Sequence, residues 1–488
     1  MNRTHPPILI WLRRDLRLDD NPAIFHAAKT GRPVIPFFVD DDKHLGGAAR
    51  WWRGRSLLAL DSALRSLGSH LVVRRGDALD QVMSLAQESG ATALHFNRRL
   101  EPRGLAIDAK VVTAARAAGI EIVEHHGNRL HDPWTLKTLK GDPFRVFTPF
   151  WRRLAESYQP PAPCPAPTAL TAPSTWPGAS DLAALEEHAP WTAGMTTQWR
   201  PGEAGAQAML QRLPEKLADY GTARDRPDIE GTSRLSPHLA WGEISVHALW
   251  RQLSQEGSPS QNGYLRELGW RDFNSHLLYH FPRLPVDNWN RQFDAFPYRS
   301  APTQLAAWQK GLTGYPIVDA GMRELWTTGW MHNRVRMITA SFLIKDLLLD
   351  WRDGEKWFWD TLVDADLAQN AGNWQWVAGS GADAAPYFRV FNPITQGIKF
   401  DPEGTYVRRW LPELAKLPTH AIHEPSTASL SELSAAHVSL GRSYPLPLVD
   451  HAKARLRALA TLKALGTAAA AELATTDVSS RQNSPNLI

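Results

Sequence analysis

The hydrophobic pattern of this 488-residue chain changes period once, and that change limits the architectures open to it. Between about residues 7 and 150, short apolar runs alternate with amphipathic segments. Ile8–Leu12, Val34–Val39, His70–Val73, Ala93–Phe96 and Ile120–Val123 read as buried strands. Trp51–Leu67, Ala78–Glu88 and Leu105–Ala118 carry apolar residues at helical spacing. This alternation predicts a Rossmann-like parallel sheet with helices on both faces. No GxGxxG follows the first strand, but a ligand can still bind at the carboxyl ends of the strands. Beyond residue 200 only helical periodicity survives, over Ala204–Tyr220, Ser245–Glu256, Tyr264–Leu278, Pro302–Lys310, Ile317–Thr327, Arg334–Leu348 and Glu355–Leu362. The intervening PPAPCPAPTALTAP and TWPGAS hold enough proline to forbid regular helix and favour an extended connector. The expected organisation is an α/β domain over 1–157, a linker over 158–200, an all-α domain over 201–465 and a disordered tail over 466–488.

Bulk composition removes several function classes. Cys164 is the only cysteine, which excludes an intramolecular disulfide and a Cys-ligated cluster. The best apolar run, Ile338–Leu349, is interrupted by Lys345 and Asp346, and Met1–Pro7 leads straight into a strand-like run. The expectation is a cytoplasmic protein without a membrane segment. A net charge of +4 with a pI near 9.1 leans mildly toward polyanions, so any basic patch must be local.

The stretch WRDGEKWFWDTLVDADLAQNAGNWQW, Trp351–Trp376, packs five tryptophans and four aspartates together. Dense indoles beside carboxylates suit a site that stacks flat molecules or relays electrons; they also suit a large aromatic core. Four further segments bear on the choice. GTSRLSPHLAWGEIS, Gly231–Ser245, offers hydroxyls and one Arg before a helix, either an anion cradle or a plain N-cap by Ser236 with Pro237 behind it. In ELGWRDF, Glu267 and Arg271 are four apart and can pair, while Glu267 and Trp270 share a face suited to an extruded base. In WMHNRVRM, His332 has no second ligand at metal spacing, and Arg334 and Arg336 suit phosphate or carboxylate. In VDADLAQN, the DxD of Asp364 and Asp366 is either a metal pattern or a set of hydrogen-bonding carboxylates.

Together with WLRRDLRLDDNPA, RVFTPFWRR, GYPIVDAGMRELWTTGW and GADAAPYFRVFNPITQGIKF, these segments resemble the DNA photolyase/cryptochrome family over nearly the whole chain. The resemblance implies FAD in the helical domain. Tyr220, Thr232, Ser233, Arg234, Leu235 and Ser236 would hold its phosphates, with Arg271 and Asn333 also in the cofactor region. Asp364 would pair with Arg336 beside the ring system, and Asp366 would lie near flavin and ribose. Asn370 would face flavin N5, where an amide rather than a carboxylate points to a repair enzyme.

The same resemblance implies a partner: DNA with a flipped pyrimidine dimer. Trp270 and Trp376 would clasp the dimer, Glu267 would hydrogen-bond its bases and Met337 would pack on it. Enzymes repairing the (6-4) photoproduct carry His at the positions of Asn333 and Met337, so a cyclobutane dimer is expected here. Arg224, Arg334 and Gln396 would touch the DNA backbone. The implied activity is that of a deoxyribodipyrimidine photolyase, of class I or class III. Light-excited reduced FAD lends one electron to the dimer, which splits and returns it. No metal is expected, and a monomer is. The competing readings are a blue-light cryptochrome without repair activity and, more distantly, a single-strand DNA-binding module.

Two departures from the family pattern stand out. Trp374 and Trp351 match the first two members of its electron relay, but the distal position is Tyr298 instead of Trp; Trp308, Trp357 and Trp359 are alternative surface ends. Folate-binding relatives place Asn-Glu where LEPRGLA here has Arg103 and Gly104, leaving a deazaflavin, a second flavin, a differently placed folate or no antenna. ARWWRGRSLLALDSALRSLG resembles the group that holds plant cryptochromes and their bacterial photolyase relatives.

Overall fold

The computed structural model describes residues 5–254, 259–384 and 388–482. Its first unit is a five-stranded parallel sheet of β1 (Ile8–Trp11), β2 (Val34–Asp40), β3 (Val72–Arg75), β4 (Ala93–Asn97) and β5 (Glu121–His125), in the order β3-β2-β1-β4-β5. Helices α1 (Pro22–Lys29), α2 (Gly47–Ser66), α3 (Ala78–Ser89), α4 (Pro102–Ala117) and α5 (Phe147–Ser157) accompany it. Every residue of the central β1 is buried, because both sheet faces are covered and no polar face is needed. The order reverses between β1 and β4, so a crevice opens at their carboxyl ends. The charged residues that follow the strands meet there: Arg13, Arg14 and Asp15 after β1, Asp41 and Asp42 after β2, Arg98, Arg99 and Glu101 after β4.

The expected strands recur to within a few residues, but β5, expected to be buried, is a partly exposed edge strand paired only with β4. The pattern reading did not include α1 and α5. Asn21 caps α1 by accepting from the Ile24 N–H at 3.4 Å, with Pro22 at the first helical position.

The proline-rich segment lies against the sheet. Thr171 accepts from the Val34 N–H at 2.9 Å, and the Ser180 N–H donates to Val73 at 2.7 Å. One correction falls at its end: α6 (Ala193–Gln198) forms where ten residues pass between Pro190 and Pro201 without a proline.

The second unit is helical: α7 (Glu203–Gln211), α8 (Leu213–Leu217), α9 (Tyr220–Ala223), α10 (Ser236–Ala240), α11 (Val246–Ser254), α12 (Pro259–His280), α13 (Pro302–Gln309), α14 (Pro316–Thr328), α15 (Asn333–Ser341), α16 (Trp351–Thr361), α17 (Leu367–Ala378), α18 (Pro393–Phe400), α19 (Thr405–Trp410), α20 (Leu430–Ala435) and α21 (His451–Gln482). Three expectations are corrected. Ala204–Tyr220 is split into α7 to α9, because Pro214 lacks the amide a continuous helix needs. Arg334–Leu348 is α-helical only to Ser341 and then makes a π-turn over Phe342–Asp346. That turn aims buried Lys345 at the Arg389 carbonyl (2.5 Å) and Asp346 at His451 (2.6 Å). The stretch expected to be disordered from residue 466 continues α21 as far as Gln482, in keeping with the helix propensity of its alanine run. Residues 483–488, and the end of the Ser245–Glu256 segment, lie outside the described residues.

The two units share one core. Trp51 and Trp52 of α2, both fully buried, join Trp199, Trp241, Trp308, Trp330, Trp351 and Trp374 in a single apolar cluster. Within it α16 and α17 approach closely at Gly354. A Cβ there would fall 2.1 Å from the Trp374 ring and 2.6 Å from Leu343. Trp374 cannot yield cheaply, since Phe358 (5.0 Å) and Trp308 (6.3 Å) wedge it edge-on. Gly354→Ala is therefore expected to lower stability by about 1–3 kcal/mol despite the better helix propensity of alanine, read as a fall in thermal midpoint.

Candidate functional site

The site is organised around residues 364–366, the turn between α16 and α17. Arg336 on α15 grips Asp364 with two nitrogens, at 2.8 and 3.2 Å. Ser236 donates its hydroxyl to the same carboxylate at 2.6 Å and accepts from the Trp330 indole N–H at 3.1 Å. The expected N-cap role of Ser236 is thus corrected. Leu235 occupies the cap position, no side chain caps α10, and the Ser236 hydroxyl is committed to Asp364. Arg14 donates to the Ala365 carbonyl at 3.0 Å. Asp366 caps α17 by accepting from the Ala368 and Gln369 N–H groups and pairs with Arg129 at 2.8 Å. Burial alone would raise Asp366, but Arg129, Arg271 and Arg14 outweigh it and hold its carboxyl below the usual range.

Around this turn lie the other residues expected at the cofactor. Ser233 shares a 2.8 Å hydrogen bond with Tyr264, whose ring lies 5.3 Å from buried Tyr220. Arg234 adopts a left-handed backbone (φ 54°), and its guanidinium sits between Trp199 and Trp330, 4.7 and 4.6 Å from their ring centres. Its buried Nε has no partner. Thr232 is half-buried, whereas Ser236 and Asn333 stay exposed beside the largely buried Asp364. The amide nitrogen of Asn370 donates twice to Glu355, to its carbonyl at 2.9 Å and its carboxyl at 2.8 Å. No donor among the described residues reaches Asn370 Oδ1. Burial pushes Glu355 up to about 7, more than the Asn370 hydrogen bond lowers it.

One expected pairing is wrong. Glu267 does not bind Arg271; it binds Arg224 at 2.7 Å. Arg271 turns the other way and donates to the carbonyls of Asn128 (2.8 Å) and Leu239 (3.1 Å). Residues four apart on a helix are only neighbours, and buried carbonyls offered Arg271 better compensation than a half-buried carboxylate.

α12 and α17 each serve two spaces. Arg271, Ser275 and Leu278 of α12, with Asp366, Leu367 and Ala368, line a cleft of about 450 Å³ between the two units. That cleft also takes in Glu355, Trp359, Arg103 and Gly104. The residues displaced by one position, Trp270, Asn274 and Leu277, line a recess of about 10 Å³ with Gly372, Asn373 and Trp376. The recess is too small for a nucleobase. Beside it the two arginines expected at DNA are each held by an acid, Arg224 by Glu267 and Arg334 by Asp225 (2.8 Å). Arg334 also lies over Phe400 and 4.0 Å from the Met337 sulfur. Gln396 is half-buried, and its Oε1 is unpartnered. His332, set aside as a metal ligand, is buried and caps α15 by accepting from the Arg334 N–H.

Of the expected relay residues, Trp374 lies on α17, Trp351 on α16, and Tyr298 packs toward α21. Trp351 is fully buried and donates to Asn288 at 2.9 Å. Tyr298 packs on Phe296 at 4.8 Å, and burial raises its phenol above the ordinary range. Trp308 is fully buried against Trp374 and so is not the surface end it was offered as; Trp359 binds the His44 carbonyl, and Trp357 stacks at 5.9 Å on Trp326, which is 53 % exposed. Trp326, Arg129, Glu355 and Trp330 escaped the sequence reading. Glu355, Trp326 and Trp330 lay inside segments the sequence singled out, whereas Arg129 left no trace there.

Residues 8–168 match the DNA photolyase family model, and residues 264–464 match the model for the FAD binding domain of DNA photolyase. The chain is 50 % identical to a deoxyribodipyrimidine photo-lyase of Agrobacterium fabrum, over 94 % of this chain and 98 % of that protein. It is 39 % identical to cryptochrome-2 of Arabidopsis thaliana, over 92 % and 77 %. It superposes on a bacterial class III photolyase from Agrobacterium tumefaciens with a TM-score of 0.93, at 49 % identity over 96 % and 99 % of the two chains. An archaeal photolyase from Sulfolobus tokodaii, solved with two FAD molecules, gives 0.77 at 30 % identity over 94 % and 99 %. The chain belongs to the DNA photolyase/cryptochrome family, and its helical unit includes an FAD-binding domain.

The raised Glu355 carries a pH signature. Below about pH 4.5 its carboxyl is protonated in both folded and unfolded chains. Between about 4.5 and 7 the folded protein keeps a proton the unfolded chain has released, so stability falls as pH rises. Glu355→Gln, whose amide oxygen can still accept from Asn370, should match wild type below pH 4.5. It should gain thermal midpoint over wild type up to pH 7 and keep that gain above, as melting curves from pH 4 to 9 would read.

Proposed function

We propose that this protein is a light-driven photolyase that repairs cyclobutane pyrimidine dimers in DNA. The observation that carries the reading is the amide at Asn370. Glu355 holds its nitrogen, its oxygen stays open, and it stands one helical turn beyond Asp366 on the helix that also bears Trp376. FAD fits the surrounding residues. Arg234 keeps a buried unpartnered nitrogen, and Ser236 and Asn333 remain exposed beside Asp364. Tyr220 and Thr232–Ser236 would hold its phosphates; Arg336, Asp364, Asp366, Arg271 and Asn370 would hold its rings. When bound and reduced, the flavin supplies the light-driven one-electron chemistry.

The chain's own contribution is binding and geometry. Trp270 and Trp376 offer stacking surfaces to an extruded dimer, Glu267 a carboxylate to its base edges, and Met337 a soft apolar contact. Arg224 and Arg334 reach phosphate by exchanging Glu267 and Asp225 for DNA oxygens, which makes binding salt-dependent. Higher identity to a photolyase than to plant cryptochromes favours repair over signalling. The interdomain cleft, with Arg103 and Gly104 in its wall, is our candidate site for an antenna chromophore, as a second flavin in the Sulfolobus protein illustrates. No helix among the described residues is long and apolar enough to cross a membrane, and we place the protein in the cytoplasm, acting as a monomer.

Illumination of the reduced holoprotein with a dimer-containing oligonucleotide should restore intact thymines, counted by chromatography; no restoration would turn the reading toward a cryptochrome. Trp376→Ala should weaken dimer binding by about 1–3 kcal/mol, roughly a fivefold to 150-fold rise in Kd. Flavin photoreduction in Tyr298→Phe should persist only through an indole branch; a normal tryptophanyl radical yield by transient absorption would remove Tyr298 as an essential relay.

A further inference from the structure

Helix α5 follows the last strand of the sheet, yet its first residue reaches the proposed lesion pocket. The Phe147 ring lies parallel to Trp270, with 3.7 Å between ring centroids and 9° between planes. Phe147 is fully buried and Trp270 only partly. One indole face is therefore covered by protein, and only the opposite face is left for a base.

Phe147 is itself held from several sides. The Arg266 guanidinium stands 4.9 Å over its ring, and Phe273 meets it edge-on at 5.7 Å. Trp151, one turn along α5, lies nearly parallel to it at 6.4 Å. Trp151 packs so tightly on α12 that a Cβ at Gly269 would fall 2.3 Å from its ring. Gly269 immediately precedes Trp270, so α5 is pressed against the segment that carries the indole.

The backbone of Phe147 makes the second link. Its N–H donates to Asp383 Oδ2 at 3.2 Å. The N-cap residue Val146 offers α5 no side-chain acceptor, so this carboxylate serves an end the helix leaves open. Asp383 lies five residues beyond the end of α17, the helix that bears Trp376, and is held at φ 53°, a left-handed conformation that aspartate tolerates better than most residues. Gly381 and Ala382, just before it, line the recess between the two indoles. Phe147 thus touches one wall with its ring and is tied to the other by its amide.

Resting on the photolyase reading above, we propose that Phe147 and Asp383 are positioning residues for the lesion pocket: Phe147 fixes which face of Trp270 is presented, and Asp383 fixes the separation of the Trp270 and Trp376 walls. Ordinary core packing would make both residues matter for folding alone. Positioning makes them matter for telling damaged DNA from undamaged DNA.

The test compares FAD-loaded full-length wild type, Phe147→Leu, Phe147→Tyr and Asp383→Ala. For each, Kd is measured for a duplex containing one dimer and for the same duplex undamaged, alongside flavin content and thermal midpoint. Phe147→Leu should weaken dimer binding roughly fivefold to tenfold, the worth of one aromatic stack, with binding to undamaged duplex nearly unchanged. Phe147→Tyr, which keeps the stack, should restore the preference, and Asp383→Ala should reduce it with flavin content intact. Wild-type discrimination in both Phe147→Leu and Asp383→Ala would overturn the proposal, as would equal losses on the two duplexes. If Phe147→Leu does not fold, Asp383→Ala decides by the same criterion. Absence of dimer preference in wild type would instead overturn the photolyase reading on which this rests.

Discussion

Three arginines from three parts of the chain converge on three consecutive residues. Arg336 binds Asp364, Arg14 binds the Ala365 carbonyl and Arg129 binds Asp366. Buried carboxylates survive only when paired, because desolvation of a lone charge is not recovered elsewhere. Removing Arg336 or Arg129 would take the ion-pair partner from an acid in the protein interior. The turn between α16 and α17 is therefore fixed by both units at once, and α17 starts from it with Asp366 as its cap. Since α17 carries Asn370, Trp374 and Trp376, the placement of each depends on that turn.

Helix periodicity then divides the work. On α12, positions 270, 274 and 277 face the indole recess and positions 271, 275 and 278 face the interdomain cleft. On α17, Asn370 and Trp374 face α16, where Glu355 and Gly354 meet them, while Gly372, Asn373 and Trp376 face the recess. The same two helices thus line both the indole recess and the interdomain cleft.

Much of this was legible beforehand. Four of the five strands followed from apolar runs because a strand buried on both faces needs few polar residues, while the edge strand β5 is partly exposed; the DxD turn and the tryptophan-rich stretch pointed to a site only when joined to the other motifs. Other features left no local trace. Glu267 and Arg271 have the spacing of a pair, yet each found a partner elsewhere: Arg224 lies 43 residues away, and the carbonyls of Asn128 and Leu239 belong to other segments. The π-turn at Phe342–Asp346 departs from an uninterrupted helical pattern to satisfy Lys345 and Asp346. Arg129, which neutralises Asp366, lies 237 positions from it.

The sequence by itself determined the strands, most of the helices, the change from α/β to all-α, and the residue types at the site, since these follow from periodicity, propensity and side-chain chemistry within short windows. Tertiary structure alone decided which charges pair, which indole face is covered, and that the end of the sheet unit backs the helices of the site. Those outcomes depend on which distant groups can share the cost of leaving water, and no local stretch of chain contains that information.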